Sequence, residues 1–115
     1  MKLMIAGSRD ITNLDISEYI PENTNLIISG GASGIDKLAE QYADKKRLSK
    51  VILRPEYNRY SKAAPLKRND KMLEIADEIL VFWNGISKGT LYTIEQAKKT
   101  GKKLTVIKIC TSESV

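Results

Sequence analysis

Three short turns hold the residues of this chain best suited to bind an anion: Gly7-Ser8-Arg9, Gly30-Gly31-Ala32-Ser33-Gly34 and Asn84-Gly85-Ile86-Ser87-Lys88-Gly89-Thr90. Each follows a short apolar run (Leu3 to Ala6, Leu26 to Ile28, Ile79 to Trp83), and each opens a stretch with helical character. A helix N-terminus leaves N–H groups unpaired and carries partial positive charge, so such turns suit phosphate. The pattern predicts a nucleotide or sugar-phosphate ligand. Arg9, directly after a glycine turn, can make a bidentate contact to phosphate or carboxylate, or stand as a surface arginine. Ser87, Gly89 and Thr90 can hold phosphate or merely cap the last helix, since both roles use the same geometry.

The rest of the composition narrows the chemistry. The chain has no histidine and one cysteine, Cys110. The commonest general base, the Ser–His and Cys–His nucleophile pairs, an internal disulfide and most zinc sites are therefore excluded. No metal site or bound cofactor is expected. Carboxylates, Arg, Lys, Tyr and backbone amides remain. Gly30-Gly31-x-x-Gly34 is not the dinucleotide fingerprint, and no P-loop is present, which weakens the usual NAD and nucleoside triphosphate readings. The net charge of +5 fits an anionic ligand and a solvated basic surface equally well.

Within the turns, Gly30, Gly31 and Gly34 either admit a ligand to the backbone, with Ala32 between them, or simply make a tight strand-to-helix connection. Ser33 with Asp36 three residues on reads as a capping box, with ligand contact the lesser role for Asp36. Arg68-Asn69 lies in a helical stretch with a core-facing stripe, so a solvated polar face is its default account. Trp83 either stacks on a base or packs under a loop. Asn84 and Gly85 belong to the third turn, and Tyr57 and Tyr60 to a segment able to form a lid.

The elements that must position these residues follow from apolar spacing. Strand-like runs occupy Lys2 to Ala6, Asn25 to Ser29, Lys50 to Leu53, Glu78 to Trp83 and Lys103 to Ile109. Several lack alternation, as parallel strands covered on both faces should. Helices are predicted over Leu14 to Ile20, Gly34 to Arg47, Lys62 to Ala76 (Leu66, Met72, Leu73 and Ala76 inward) and Gly89 to Lys99. The order β-α-β-α-β-α-β-α-β calls for one α/β domain over residues 1–110, with helices on both faces of a five-stranded parallel sheet and a loose tail over 111–115. Strand order 3-2-1-4-5 would put the first and third turns on either side of the reversal point. No apolar run approaches the ~20 residues needed to cross a bilayer, and a cytoplasmic protein without membrane contact is expected. Basic groups at Lys45-Lys46-Arg47, Lys98-Lys99 and Lys102-Lys103 complement helix C-termini and carry little weight as a nucleic-acid surface.

Five ordered motifs spread over nearly the whole chain resemble the SLOG superfamily. This Rossmann-like group unites the DNA-processing protein DprA, the LOG phosphoribohydrolases and the YpsA-related proteins, and the chain is most similar to its short single-domain YspA-like branch. The motifs are Ile5 to Asp10, Ile28 to Ala39, Arg68 to Met72, Ala76-Asp77 and Phe82 to Thr90. The resemblance implies a Rossmann-like fold binding a nucleotide or phosphoribosyl-containing ligand, as sensor or carrier, and makes Arg9, Arg68 and Asn69 site residues. In LOG-type hydrolases an arginine matching Arg68 and a glutamate shortly after a Gly-Thr pair carry N-glycosidic cleavage. Here the first carboxylate after Gly89-Thr90 is Glu95, too far along to match, so a catalytic role for Arg68 in LOG-like hydrolysis stands as the alternative. DprA-like binding of single-stranded DNA is a second alternative, and a homodimer would help complete a site on so small a scaffold.

Overall fold

β1 (Lys2–Gly7) and β4 (Glu78–Trp83) lie side by side at the centre of a parallel sheet, paired from Leu3 against Glu78 to Gly7 against Phe82. The computed structural model describes residues 1–109 and adds β2 (Leu26–Ser29), β3 (Ser49–Ile52) and β5 (Lys103–Lys108) in the order β3-β2-β1-β4-β5. This is the α/β architecture and strand order expected from the sequence. Cys110 and the proposed tail over 111–115 lie outside the described residues.

The chain winds to one side through β2 and β3, then returns past β1 to β4. The carboxyl ends of β1 and β4 therefore diverge into loops that leave in opposite directions, the arrangement that opens a crevice in doubly wound sheets. Leu3, Ile5, Leu80 and Phe82 face one layer, formed by α1 (Ile35–Lys46) and the segment carrying Ile11, Ile16 and Ile20. Met4, Ala6, Ile79 and Val81 face the other, formed by α3 (Ala64–Ile75) and α4 (Lys88–Thr100). The alternation along β1 and β4 explains why both strands read as continuous apolar runs. Tyr19 packs edge-on against Phe82, ring centroids 5.4 Å apart.

Local differences from the sequence expectation have identifiable causes. The segment from Leu14 to Ile20 forms only a 3-10 turn, Ser17–Tyr19, because the Asp15 carboxylate takes both the N–H and the hydroxyl of Ser17. The helix expected over Lys62 to Ala76 is α3, which starts at Ala64 with Pro65 in its first turn and follows a short helix α2 (Tyr57–Tyr60) and a 3-10 turn (Ser61–Ala63). Leu66, expected inward, is exposed. The capping box at Ser33 and Asp36 does not form. Gly34 occupies the N-cap with φ +72, and Ser33 makes no cap bond. A Cβ at Gly34 would strike the carbonyls of Ser8 and Arg9, and one at Gly7 would strike Ile35 and the Phe82 carbonyl. Both glycines let the start of α1 press against the end of β1. α4 ends at Gly101 in a left-handed conformation, φ +74. Among the described residues no helix is long and apolar enough to cross a membrane.

Candidate functional site

Where β1 and β4 end, a cleft of about 420 Å³ opens, floored by Ala6, Gly7 and Met72. Its size falls in the roughly 300–1,000 Å³ range of small-molecule sites. The structure brings Gly7, Arg9, Ala32, Asp36, Arg68, Asn69, Asn84, Ser87, Gly89 and Thr90 to its walls. Ser8, Gly30, Gly31, Gly34, Trp83 and Gly85 are not among the lining residues.

The wall on the α4 side is built by Asn84 and Ser87. The Asn84 side-chain carbonyl accepts the N–H groups of Ile86 and Ser87, each at 2.8 Å, while its amide donates to both Asp10 carboxylate oxygens at 3.0 and 3.1 Å. Its backbone N–H donates to the Ser8 hydroxyl at 3.1 Å. One residue thus ties the loop after β4 to the loop after β1. Ser87 caps α4, its hydroxyl accepting from the Thr90 N–H at 3.3 Å and the Thr90 hydroxyl at 3.1 Å. Lys88 and Gly89 occupy the first two helical positions, whose N–H groups have no intrahelical partner. A Cβ at Gly89 would meet nothing within 4 Å. Unlike Gly7 and Gly34, whose missing side chains are demanded by protein packing, Gly89 borders empty space.

The opposite wall comes from α3 and the turn after β2. Arg68 is 8% exposed. Its Nη1 donates to the Gly30 carbonyl and, at 3.2 Å, to the Leu53 carbonyl, and its Nε donates to Asn69 Oδ1 at 2.7 Å. Asn69 in turn donates to the Thr93 hydroxyl at 2.8 Å, and Thr93 donates to the Gly89 carbonyl at 3.2 Å. A chain of polar contacts among cleft-lining residues therefore links the β2 turn to the start of α4. Arg68 is a buried structural donor, not the member of a solvated face that its helical setting suggests. Arg54 donates to the Gly31 carbonyl at 3.1 Å and fills the space beside that glycine.

Asp36 sits 7% exposed at the start of α1, with Oδ2 accepting the Ala32 N–H at 3.1 Å. Burial pushes its carboxyl above the usual range, while the Ala32 bond and the charges of Arg68 and Arg9 pull it back down. Burial likewise lowers Arg68 from its ordinary value, opposed by Asp36 and reinforced by the Arg9 charge. Among the described residues the ion pairs are Lys50–Asp44 and Lys71–Glu56, so Asp36 and Arg68 act on each other without direct contact. Arg9 is exposed, and its side chain makes no hydrogen bond within the described protein.

Trp83 packs against the core beneath α3 and α4 and donates its indole N–H to the Ser87 carbonyl at 3.0 Å. Gly85 turns with φ +83 beside Lys108. Glu95 is exposed on α4 and does not line the cleft. Sequence reasoning did not place Ala6, Pro65, Leu66, Met72 and Thr93 in the site, and it offered Asp10 only as a substitute acid with no spacing argument. Two signals were present: Thr93 lies one helical turn beyond Gly89, and positions 65, 68, 69 and 72 share one helical face.

The cleft brings together a capped helix start, one exposed and one buried guanidinium, and the carboxylates of Asp10 and Asp36, groups whose chemistry suits anions and hydrogen-bond donors. The chain matches none of the protein-family models, and no curated protein or solved structure is found similar to it.

Proposed function

We propose that this protein binds a nucleoside monophosphate or another phosphoribosyl-containing metabolite in the cleft between β1 and β4, as a sensor or carrier. The observation that carries this reading is Gly89. It lines the cleft, exposed, at the second position of α4, and no protein atom occupies the space a side chain there would take. Phosphate approaching there would meet the N–H groups of Lys88 and Gly89, with Arg9 and Arg68 supplying positive charge. The resemblance to the SLOG superfamily points to the same class of ligand.

A second reading, hydrolysis of the N-glycosidic bond, is favoured by one observation: Asp10 and Asp36 line the same cleft as Arg68. A carboxylate near the anomeric carbon can stabilise an oxocarbenium-like transition state.

The test is calorimetric titration with AMP, GMP, CMP, UMP, ribose 5-phosphate and ADP-ribose, beside a short single-stranded oligonucleotide, at low and moderate salt. Binding of a mononucleotide that tolerates salt supports the reading, and release of free base on incubation adds the hydrolytic one. Binding of the oligonucleotide alone, lost steeply as salt rises, would replace both with a nucleic-acid function.

A further inference from the structure

Asp36 is the cleft residue whose chemistry a phosphate site leaves unused. A carboxylate withdrawn from water is costly unless its oxygens are hydrogen-bonded. Oδ2 is satisfied by the Ala32 N–H. Oδ1 has no partner among the described residues, yet it is not sealed in the interior, because the one buried side-chain atom without a partner there is Thr24 Oγ1. Asp36 lines the cleft.

An ionised carboxylate oxygen only accepts, so it repels phosphate and takes an O–H or N–H. Burial, the largest influence, raises its carboxyl above the ordinary value, while the Ala32 N–H and the charges of Arg68 and Arg9 act toward the ionised form and Glu40 opposes them. Two guanidinium groups beside it also disfavour a cation as occupant. A neutral donor on the ligand is the partner that remains. We propose that Asp36 Oδ1 accepts a hydrogen bond from a hydroxyl or amino group of the bound ligand, so that the cleft selects anions that carry such a donor.

This inference rests on the nucleotide reading, and in a nucleotide the donor has two sources, a ribose hydroxyl or an exocyclic amine of the base. The experiment titrates wild-type protein and Asp36→Asn with AMP and GMP, their 2′-deoxy and 3′-deoxy forms, and IMP, which lacks the amine of both bases. Asparagine keeps an acceptor for the Ala32 N–H while turning the other position into a donor. One analogue is expected to bind the wild type about tenfold or more weakly than its parent, the scale of loss when a buried polar group is left unpaired. In Asp36→Asn that difference should collapse, because binding of the parent falls. Weak binding of a deoxy form assigns the ribose hydroxyl, and weak binding of IMP assigns the amine. If AMP or GMP binds but every analogue matches it in the wild type, or if Asp36→Asn keeps the wild-type discrimination, the Asp36 assignment is overturned and the nucleotide reading stands. If no nucleotide binds the wild type, both fall together.

Discussion

Gly30 lies directly under the Arg68 guanidinium: a Cβ at position 30 would fall 2.5 Å from Nη1 and 2.9 Å from Asp36 Oδ2. The glycine is therefore filled by the protein's own arginine, and its carbonyl accepts from that same Nη1. Arg68→Ala should cost stability as well as binding, because it strands the Gly30 and Leu53 carbonyls. A loss of about 2 kcal/mol or more is expected, since each buried acceptor left unmade costs roughly 1–3 kcal/mol. Urea denaturation of Arg68→Ala and of Gly30→Ala, which must displace the guanidinium, measures it. A fold indifferent to both changes would show that these bonds carry no net stability.

Gly89→Ala separates folding from binding. With open space around the new methyl and a better helix former in place, the free protein should gain about 0.5–1 kcal/mol. Affinity for AMP or GMP should fall, because the methyl group occupies the approach to the Lys88 and Gly89 N–H groups. Thermal unfolding with and without nucleotide reads both effects in one series.

Ser87→Ala removes the acceptor for the Thr90 N–H and the Thr90 hydroxyl. The expected cost is about 1 kcal/mol, the usual value of an N-cap hydroxyl. Ser87→Asp should restore the cap and lower phosphate affinity by repulsion, so the two variants part company in nucleotide titration.

Asp36 makes stability depend on pH with a definite sign. Its native carboxyl is raised above 3.8, so as pH climbs through that value the unfolded chain releases its proton first. The native state then holds more protons than the unfolded state, and stability from this group falls until the native carboxyl ionises as well. Asp36→Asn removes that loss. Its unfolding temperature should match the wild type below pH 4 and exceed it above, the difference levelling off once the native carboxyl has ionised. A variant less stable at neutral pH would mean that attraction to Arg68 and Arg9 outweighs the cost of burial.

The sheet was legible because its central strands are apolar on both faces, and the strand order followed from the βα alternation. The turns were legible as turns, but their glycines were not distinguishable in sequence. Gly7, Gly30 and Gly34 are small because protein atoms press on them, whereas Gly89 borders open space, and only three-dimensional neighbours separate the two cases. Arg68 was misjudged in its setting because polarity outweighed position. It stands four residues before Met72 on the same helical face, and a buried arginine with two carbonyl partners looks in sequence like any surface one. Asp10 carried no local signal, since its partner Asn84 is 74 residues away.

Asn84 holds both loops of one cleft wall through five hydrogen bonds, reaching Ser8, Asp10, Ile86 and Ser87. An arriving molecule meets groups that already point the right way, and the disorder of those loops has been surrendered at folding rather than at the moment of capture. Selectivity on this side of the cleft is consequently a matter of shape fixed in advance, and a ligand that does not fit gains nothing by waiting for the wall to yield.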